Sequence, residues 1–281
     1  MVKGLLAFDI DGTLTHRGDW IDPQVIQALK KLHDEGWQIA LVTGRMFSFA
    51  QKILSYFTFP FTLAVQNGAD ILEMPSQKVL KRYYISSWIL PKIEEAYVGI
   101  EGDFIIYSGI DEGDFCYFRP HRFCEKKLKY LRILENLGKT SWRKSNFEFE
   151  SRSSFSLIKC FGDPSSMEEL QMRLQKNSEI EISMIHDPID RAYYLNLITH
   201  PNANKGHVIQ FLRTFYNADC VIAAGDDRND LKMIQEADIG IAIQTAPEEV
   251  LASAKIHAKP PQELGIIHAI DQAIAMIESL A

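Results

Sequence analysis

Two acidic residues close what reads as a buried strand. Asp9-Ile10-Asp11-Gly12-Thr13 follows directly on the apolar run Leu5-Leu6-Ala7-Phe8, and a strand apolar on both faces belongs in a parallel sheet covered on either side. In such sheets ligands bind in the crevice beyond the carboxyl ends of the strands. Asp9 and Asp11 are therefore expected at that crevice, with Gly12 permitting a sharp turn. Neighbouring carboxylates repel each other, and either a divalent cation or a retained proton relieves the repulsion.

The rest of the chain extends the pattern. Asp22 as N-cap, Pro23 at the first position, apolar Val25, Ile26, Leu29 and Leu32, and Gly36 beyond the end define a helix. Trp37 to Val42 reads as a strand ending at Thr43-Gly44-Arg45, Phe47 to Phe57 as a helix, and Thr62 to Val65 as a third strand ended by Gln66-Asn67-Gly68-Ala69. This alternation, carried to about Leu80, predicts parallel strands joined by right-handed crossovers. It resumes near Lys205, with helices at His207 to Tyr216, Leu231 to Ala237, Pro247 to Ala254 and Ile266 to Leu280, and strands at Cys220 to Ala224 and Ile239 to Ile243.

Between about Arg82 and Leu197 the rhythm changes. Helical patterns at Trp88 to Tyr97, Glu125 to Asn136 and Met167 to Gln175 mix with strand-like pieces at Phe104 to Tyr107, Phe115 to Phe118, Phe155 to Cys160, Ile180 to Ile185 and Tyr193 to Ile198. The expected architecture is α/β, a three-layer, Rossmann-like parallel-sheet core built from 1–81 and 198–281. An α+β domain is inserted over 82–197. At 281 residues, 46% of them hydrophobic, the chain has room for two unequal domains, each with its own core.

Charge and cysteine usage exclude several classes of function. A formal net charge of −7 without a basic stripe or tail speaks against non-specific nucleic-acid binding. Cys116, Cys124, Cys160 and Cys220 are scattered without a C-x-x-C pair, so they suggest neither a disulfide framework nor a zinc site and fit a reducing cytoplasm. The apolar stretch before Asp9 is too short for a signal peptide, and no segment approaches the ~20 apolar residues of a membrane span. The expectation is a soluble cytoplasmic protein with no nucleic-acid or membrane partner.

Polar clusters follow the apolar strands at Asp9 and Asp11, at Thr43, and at Gly225-Asp226-Asp227-Arg228-Asn229-Asp230, while Lys205 stands at a helix start. In a parallel sheet the strand-end clusters fall on one edge. Carboxylates, a hydroxyl, an ammonium and a metal gathered there suit phosphoryl transfer, in which catalysis is mostly positioning and charge neutralisation. Mg²⁺ is the natural ion, being hard, oxygen-seeking and satisfied by one or two carboxylates plus phosphate.

On these motifs the chain resembles the haloacid dehalogenase superfamily, specifically the Cof-type phosphatases with a large, C2B-type cap inserted after the third strand. The resemblance implies that Asp9 is the nucleophile forming an aspartyl-phosphate. It implies that Asp11 protonates the leaving oxygen and then deprotonates the attacking water. Thr43, Gly44, Asn229 and the Lys205 ammonium would hold the phosphate, with Lys205 counted in the catalytic set. Asp9, the main-chain carbonyl of Asp11 and Asp226 would bind Mg²⁺, supported from behind by Asp230 and Asp227. Relatives commonly carry a Met-Gly-Asn-Ala-like stretch where this chain has Ile243-Gln244-Thr245-Ala246, so loop contacts there do not carry over.

Simpler roles compete for several of these residues. Thr43 also reads as a helix cap and Lys205 as a solvated lysine, and Asp227 reads equally as a cap or as support for the acid cluster. Asn67-Gly68 is an ordinary turn dipeptide that also brings an amide near the site. In the insertion, Trp88, Tyr107, Tyr117, Phe118, Trp142, Phe147 and Tyr194 are expected to form a small core. Arg119, His121 and Arg122 read as solvated surface, or, for Arg119 and Arg122, as substrate-selective contacts of a closing lid. The functional reading is a Mg²⁺-dependent phosphatase of a small phosphorylated metabolite. A phosphomutase is the alternative, and a phospho-aspartate signalling switch a remote one.

Overall fold

The computed structural model describes residues 2–16, 18, 20–138, 142–187 and 189–279. The chain divides into two compact units, one comprising Met1–Gly44, Ala50–Lys81 and Asn204–Ala281, the other Arg45–Phe49 and Arg82–Ala203.

In the first unit, β1 (Gly4–Phe8) is buried throughout. It leads to α1 (Pro23–Asp34), whose cap is the one expected: the Asp22 side chain accepts from Gln24 N at 2.9 Å, with Pro23 at the first position. β2 (Trp37–Val42), α2 (Phe47–Leu54) and β3 (Phe61–Val65) follow. A hairpin comes next in place of another crossover, β4 (Asp70–Met74) and β5 (Lys78–Arg82). β1, β2 and β3 are parallel as expected, but β4 runs antiparallel to β3, Val65 opposite Asp70, so the strand–helix alternation expected to about Leu80 ends at Val65. The short Gln66-Asn67-Gly68-Ala69 link explains it, since a parallel neighbour needs a crossover of a dozen or more residues.

The second unit contains β6 (Ile85–Ser86), α3 (Leu90–Ala96), β7 (Phe104–Tyr107), β8 (Cys116–Phe118), α4 (Glu125–Gly138), β9 (Trp142–Lys144), β10 (Ser154–Phe155), β11 (Leu157–Gly162), α5 (Pro164–Leu174), β12 (Glu181–His186) and β13 (Tyr194–Thr199). The chain then returns to the first unit through α6 (Lys205–Tyr216), β14 (Val221–Gly225), α7 (Leu231–Glu236), β15 (Ile239–Ile243), α8 (Glu248–Ser253), β16 (Ile256–Ala258) and α9 (Gly265–Glu278). Leu280, the expected end of the last helix, lies outside the described residues.

The first unit's sheet has the order β16-β15-β14-β1-β2-β3-β4-β5, parallel from β16 to β3. Leu5 and Ala7 of β1 pack with Val208, Ile209 and Leu212 of α6. Alternation along the strand turns Leu6 and Phe8 to the opposite face, where α1 lies on β2 and α9 on β14 and β15. β1 thus sits at the centre of three layers.

The second unit is built on a sheet of order β12-β13-β11-β7-β8-β9. Along β11, Ile158 and Cys160 join a core with Ile93 of α3 and Leu170 of α5, whereas Leu157 and Phe161 join Tyr130 and Leu131 of α4. The unit extends past the expected boundary at 197. β13 runs to Thr199, whose Oγ1 donates to the Ala203 carbonyl at 2.8 Å. It also takes in Arg45–Phe49, because Met46 is part of the same apolar cluster as Phe161 and Leu195, and Asp114 Oδ2 accepts from Ser48 N at 2.6 Å.

Two sequence expectations for this unit are corrected. Trp88 is 44% exposed and not core; its ring lies under Lys92 Nζ, 4.5 Å from the centroid. Arg119 is neither solvated nor presented to a ligand. Its guanidinium is buried and grips Asp103 with two hydrogen bonds of 2.7 Å, reaches Glu94 Oε1 at 2.5 Å and lies over the Phe147 ring, 4.2 Å from the centroid. Phe118-Arg119-Pro120 leaves β8 with the side chain turned onto apolar neighbours, where only a planar fork matched by a carboxylate satisfies the charge. His121 and Arg122 are exposed.

Removing one partner of a buried ion pair leaves the other charge uncompensated, a cost of about 3–5 kcal/mol. Arg119→Ala is expected to lower stability by about 3 kcal/mol or more in chemical denaturation, with substrate preference unchanged.

Candidate active site

β1 and β14 are parallel neighbours, with Phe8 beside Ala224, so the acidic runs that follow them emerge side by side. Asp9 is buried, and its N–H donates to the Ala224 carbonyl at 2.9 Å. Gly12 has φ +81°, and a Cβ there would stand 2.0 Å from Asp226 Oδ2. Only glycine lets the turn come so close. Thr13 Oγ1 donates to Asp226 Oδ1 at 3.0 Å. Sequence reasoning gave Thr13 no role, although it stood within the Asp9-to-Thr13 motif.

The loop after β14 is organised by Asp230. Its Oδ2 accepts from the N–H groups of Asp226 and Asp227 at 2.9 and 3.1 Å. Asp227 Oδ1 accepts from Arg228 N at 2.7 Å, so Asp227 caps the 3₁₀ turn Arg228–Asp230, in a reciprocal capping box with Asp230. A Cβ on Gly225 would lie 2.3 Å from that of Asp230, which explains the glycine before the acid run.

Lys205 is the first residue of α6, at a helix start as expected, with the helix reaching two residues before His207. Asn204 caps it, its Oδ1 accepting from His207 N at 3.0 Å. The side chain is 1% exposed, which rules out a solvated lysine. Its Nζ donates to Asp9 Oδ1 and to Asp230 Oδ1, both at 2.5 Å.

Thr43 is buried at the end of β2. Its N–H donates to the Ala64 carbonyl and its own carbonyl accepts from Asn67 N, each at 2.9 Å. Because α2 begins only at Phe47, Thr43 is not that helix's cap. Gly44 follows, half-buried. Asn229 Nδ2 donates to Asn67 Oδ1 at 3.3 Å, so Asn67 links two residues that the sequence placed at the phosphate.

The geometry therefore brings together Asp9, Lys205, Asp226 and Asp230 directly, with Thr43 and Asn229 joined through Asn67. Carboxylate oxygens of Asp9, Asp226 and Asp230 lie within 4.8 Å of one another. The Asp11 carboxylate is not in that group; Asp11 is half-buried and bridged to Thr15. Arg119 and Arg122 belong to the other unit.

Three acids share one ammonium in low dielectric. Burial, with the charges of Asp230 and Asp11, pushes Asp9 up to about 8 despite the opposing pull of Lys205. Burial, then Asp9 and Asp230, raises Asp226 well above the usual carboxylate range. Burial works against the Lys205 ammonium, but Asp230 and Asp9 outweigh it and hold its pKa above the ordinary lysine value. Excess negative charge on oxygen donors is the environment that a hard divalent cation relieves. Asp230 has both oxygens engaged, by Lys205 and by two N–H groups, so Asp9 and Asp226 are the better ligands.

A family profile described as haloacid dehalogenase-like hydrolase matches residues 6–270. Over 273 residues the chain is 23% identical to the 5-amino-6-(5-phospho-D-ribitylamino)uracil phosphatase YcsE of Bacillus subtilis, covering 95% of this chain and 94% of that one. It is 22% identical over 279 residues to a phosphoglycolate phosphatase of Metallosphaera sedula, covering 98% and 100%. A solved sugar phosphatase of haloacid dehalogenase subclass IIB superposes with TM-score 0.74 at 22% identity, covering 96% and 98%, which establishes the shared fold.

Asp9 binds its proton more tightly in the folded state, so its contribution to stability is full below about pH 4 and is lost as pH rises through about 8. A divalent cation bound by Asp9 would take the place of that proton. The rise in thermal midpoint on adding Mg²⁺ to metal-free protein is thus expected to grow between about pH 5 and 8; a shift independent of pH in scanning fluorimetry contradicts it.

Proposed function

The chain belongs to the haloacid dehalogenase-like hydrolases, and we propose that it is a Mg²⁺-dependent phosphatase that hydrolyses a small phosphorylated metabolite through an aspartyl-phosphate on Asp9. The observation that carries this reading is the buried Lys205 ammonium, 2.5 Å from both Asp9 and Asp230. It favours the ionised form of Asp9, which is the nucleophilic one, and holds it at the strand end. The same ammonium is placed to stabilise a phosphate dianion there.

The Asp9 carboxylate attacks phosphorus while the bond to the alcohol oxygen breaks. Asp11 delivers its proton to that oxygen, then as a carboxylate takes a proton from the water that attacks the aspartyl-phosphate, releasing phosphate and restoring Asp9. The Thr43 hydroxyl, the Gly44 N–H, Asn229 and Lys205 hold the phosphate oxygens. Asp9, Asp226 and the Asp11 main-chain carbonyl would hold Mg²⁺, which when bound supplies neutralisation of the phosphate charge. Asp230 keeps the ligand loop and Lys205 in register. Two-step displacement divides a slow hydrolysis into easier parts, and a positioned acid contributes ~10²–10⁴-fold.

A sugar phosphate or nucleotide-related monoester is the proposed substrate. The named relatives support this class, since each acts on a small phosphate ester of a different organic part. The inserted unit is proposed to select among such esters. Four unpaired cysteines support a reducing cytoplasmic setting, and among the described residues no helix is long and apolar enough to cross a membrane.

Phosphate release from a panel of phosphorylated metabolites, with Mg²⁺ and with chelator, tests the reading. Metal-dependent release that disappears in Asp9→Asn is expected, and Asp11→Asn should retain no more than ~1% of turnover. A stable phospho-enzyme that releases no phosphate would instead indicate a mutase or a switch.

A further inference from the structure

The loop after β3 carries polar groups that the proposed chemistry does not use. Gln66, Asn67 and Gly68 have φ values of +50°, +60° and +105°, three successive residues in the left-handed region. Asparagine tolerates that region; glutamine rarely occupies it, because its Cβ crowds the following carbonyl. Gln66 is 1% exposed and Asn67 3%. Gln66 Oε1 and Nε2, and Asn67 Nδ2, have no hydrogen-bond partner among the described residues. Buried carboxamides are nearly always paired, since an unpaired buried donor or acceptor is destabilising. Gln66 therefore stands against two costs at once, an unsatisfied amide and a strained backbone, and such costs persist where function requires them.

The surroundings of the loop indicate which function. Asn67 N donates to the Thr43 carbonyl at 2.9 Å, and Asn67 Oδ1 accepts from Asn229 Nδ2 at 3.3 Å. The loop is held by the two residues assigned to the phosphate, at the same edge of the sheet as Asp9. Phosphate oxygens only accept, so phosphate would pair with Nε2 and leave Oε1 without a partner. A hydroxyl both donates and accepts, which matches the two halves of a carboxamide.

We propose that Gln66 is a specificity-determining residue that reads a hydroxyl on the alcohol portion of the substrate, with Asn67 Nδ2 beside it. The inference rests on the phosphatase reading and narrows its substrates to hydroxylated phosphate esters. Both residues are shut off from solvent, so the hydroxyl reaches them through a local rearrangement on binding. That couples the binding energy of the correct alcohol to assembly of the site, and in dry surroundings the hydrogen bond is stronger than in water.

The test compares wild type, Gln66→Met and Gln66→Asn on the most readily bound of a panel of sugar and polyol phosphates and on phenyl phosphate, which has no hydroxyl. Turnover and calorimetric binding in Mg²⁺ are both measured. Gln66→Met should lower kcat/KM for the hydroxylated ester at least ~10-fold relative to phenyl phosphate, mainly through KM. Its thermal midpoint should not fall, because two unpaired buried atoms are removed. Gln66→Asn, which suits left-handed backbone, should fold without difficulty and show the same selective loss. An unchanged ratio between the two esters in both variants overturns the proposal and leaves an orphaned core amide. So does a wild type that binds no hydroxylated ester better than phenyl phosphate. If the wild type hydrolyses neither ester, the phosphatase reading fails separately, and the ratio of binding constants still decides the role of Gln66.

Discussion

Lys205 Nζ lies 2.5 Å from both Asp9 and Asp230, and this shared contact joins the end of β1, the start of α6 and the loop after β14. Removing an ammonium and two carboxylates from water costs several kcal/mol per ion, which close pairing and further hydrogen bonds must offset. The structure supplies both. Asp230 takes two backbone N–H groups on its other oxygen, and Asn204 caps the helix that begins at Lys205. The apolar positions of α6 follow from the same constraint, because Val208, Ile209 and Leu212 seat the helix on β1 and β14 and thereby set where its first side chain stands. A change that shifts α6 along the sheet would break both ion pairs of the buried Lys205 ammonium.

The cluster is under-neutralised even so. Asp9 and Asp230 share the Lys205 ammonium with Asp226 close by, and burial and mutual repulsion raise the pKa values of Asp9 and Asp226. Glycines at 12 and 225 make this crowding possible, since a side chain at either position would overlap an aspartate. Such a cluster is suited to a cation together with a phosphate, whose binding distributes the charge over more oxygens.

The second unit deals with buried charge by closed pairing. Arg119 is matched by Asp103 and Glu94 and covered by Phe104 and Phe147, and Lys159 donates to Tyr130, which donates to Asp187. These groups are satisfied internally and hold strands and helices of one unit in register. The Gln66 side chain, in the first unit, has no hydrogen-bond partner among the described residues.

Much of this was legible before folding was considered. Asp9, Asp11, Asp226 and Asp230 stood out because carboxylates directly after wholly apolar strands conflict with burial unless a site uses them, and a parallel sheet makes their common edge a matter of topology. Asp22 and Pro23 marked the start of α1 for a local reason, cap chemistry, that acts within a few residues. The β4–β5 hairpin, the exposure of Trp88 and the burial of Arg119 were not legible, because each depends on what a distant segment places opposite. A basic residue between Phe118 and Pro120 looks the same in sequence whether it meets water or Asp103. Local pattern and spacing determined the strands, the helices and the acids at their ends. Only the tertiary structure decided that Lys205 is buried between Asp9 and Asp230, that Asp227 caps a turn, and that the Gln66 side chain finds no partner among the described residues, since hydrogen-bond satisfaction depends on neighbours that only folding brings together.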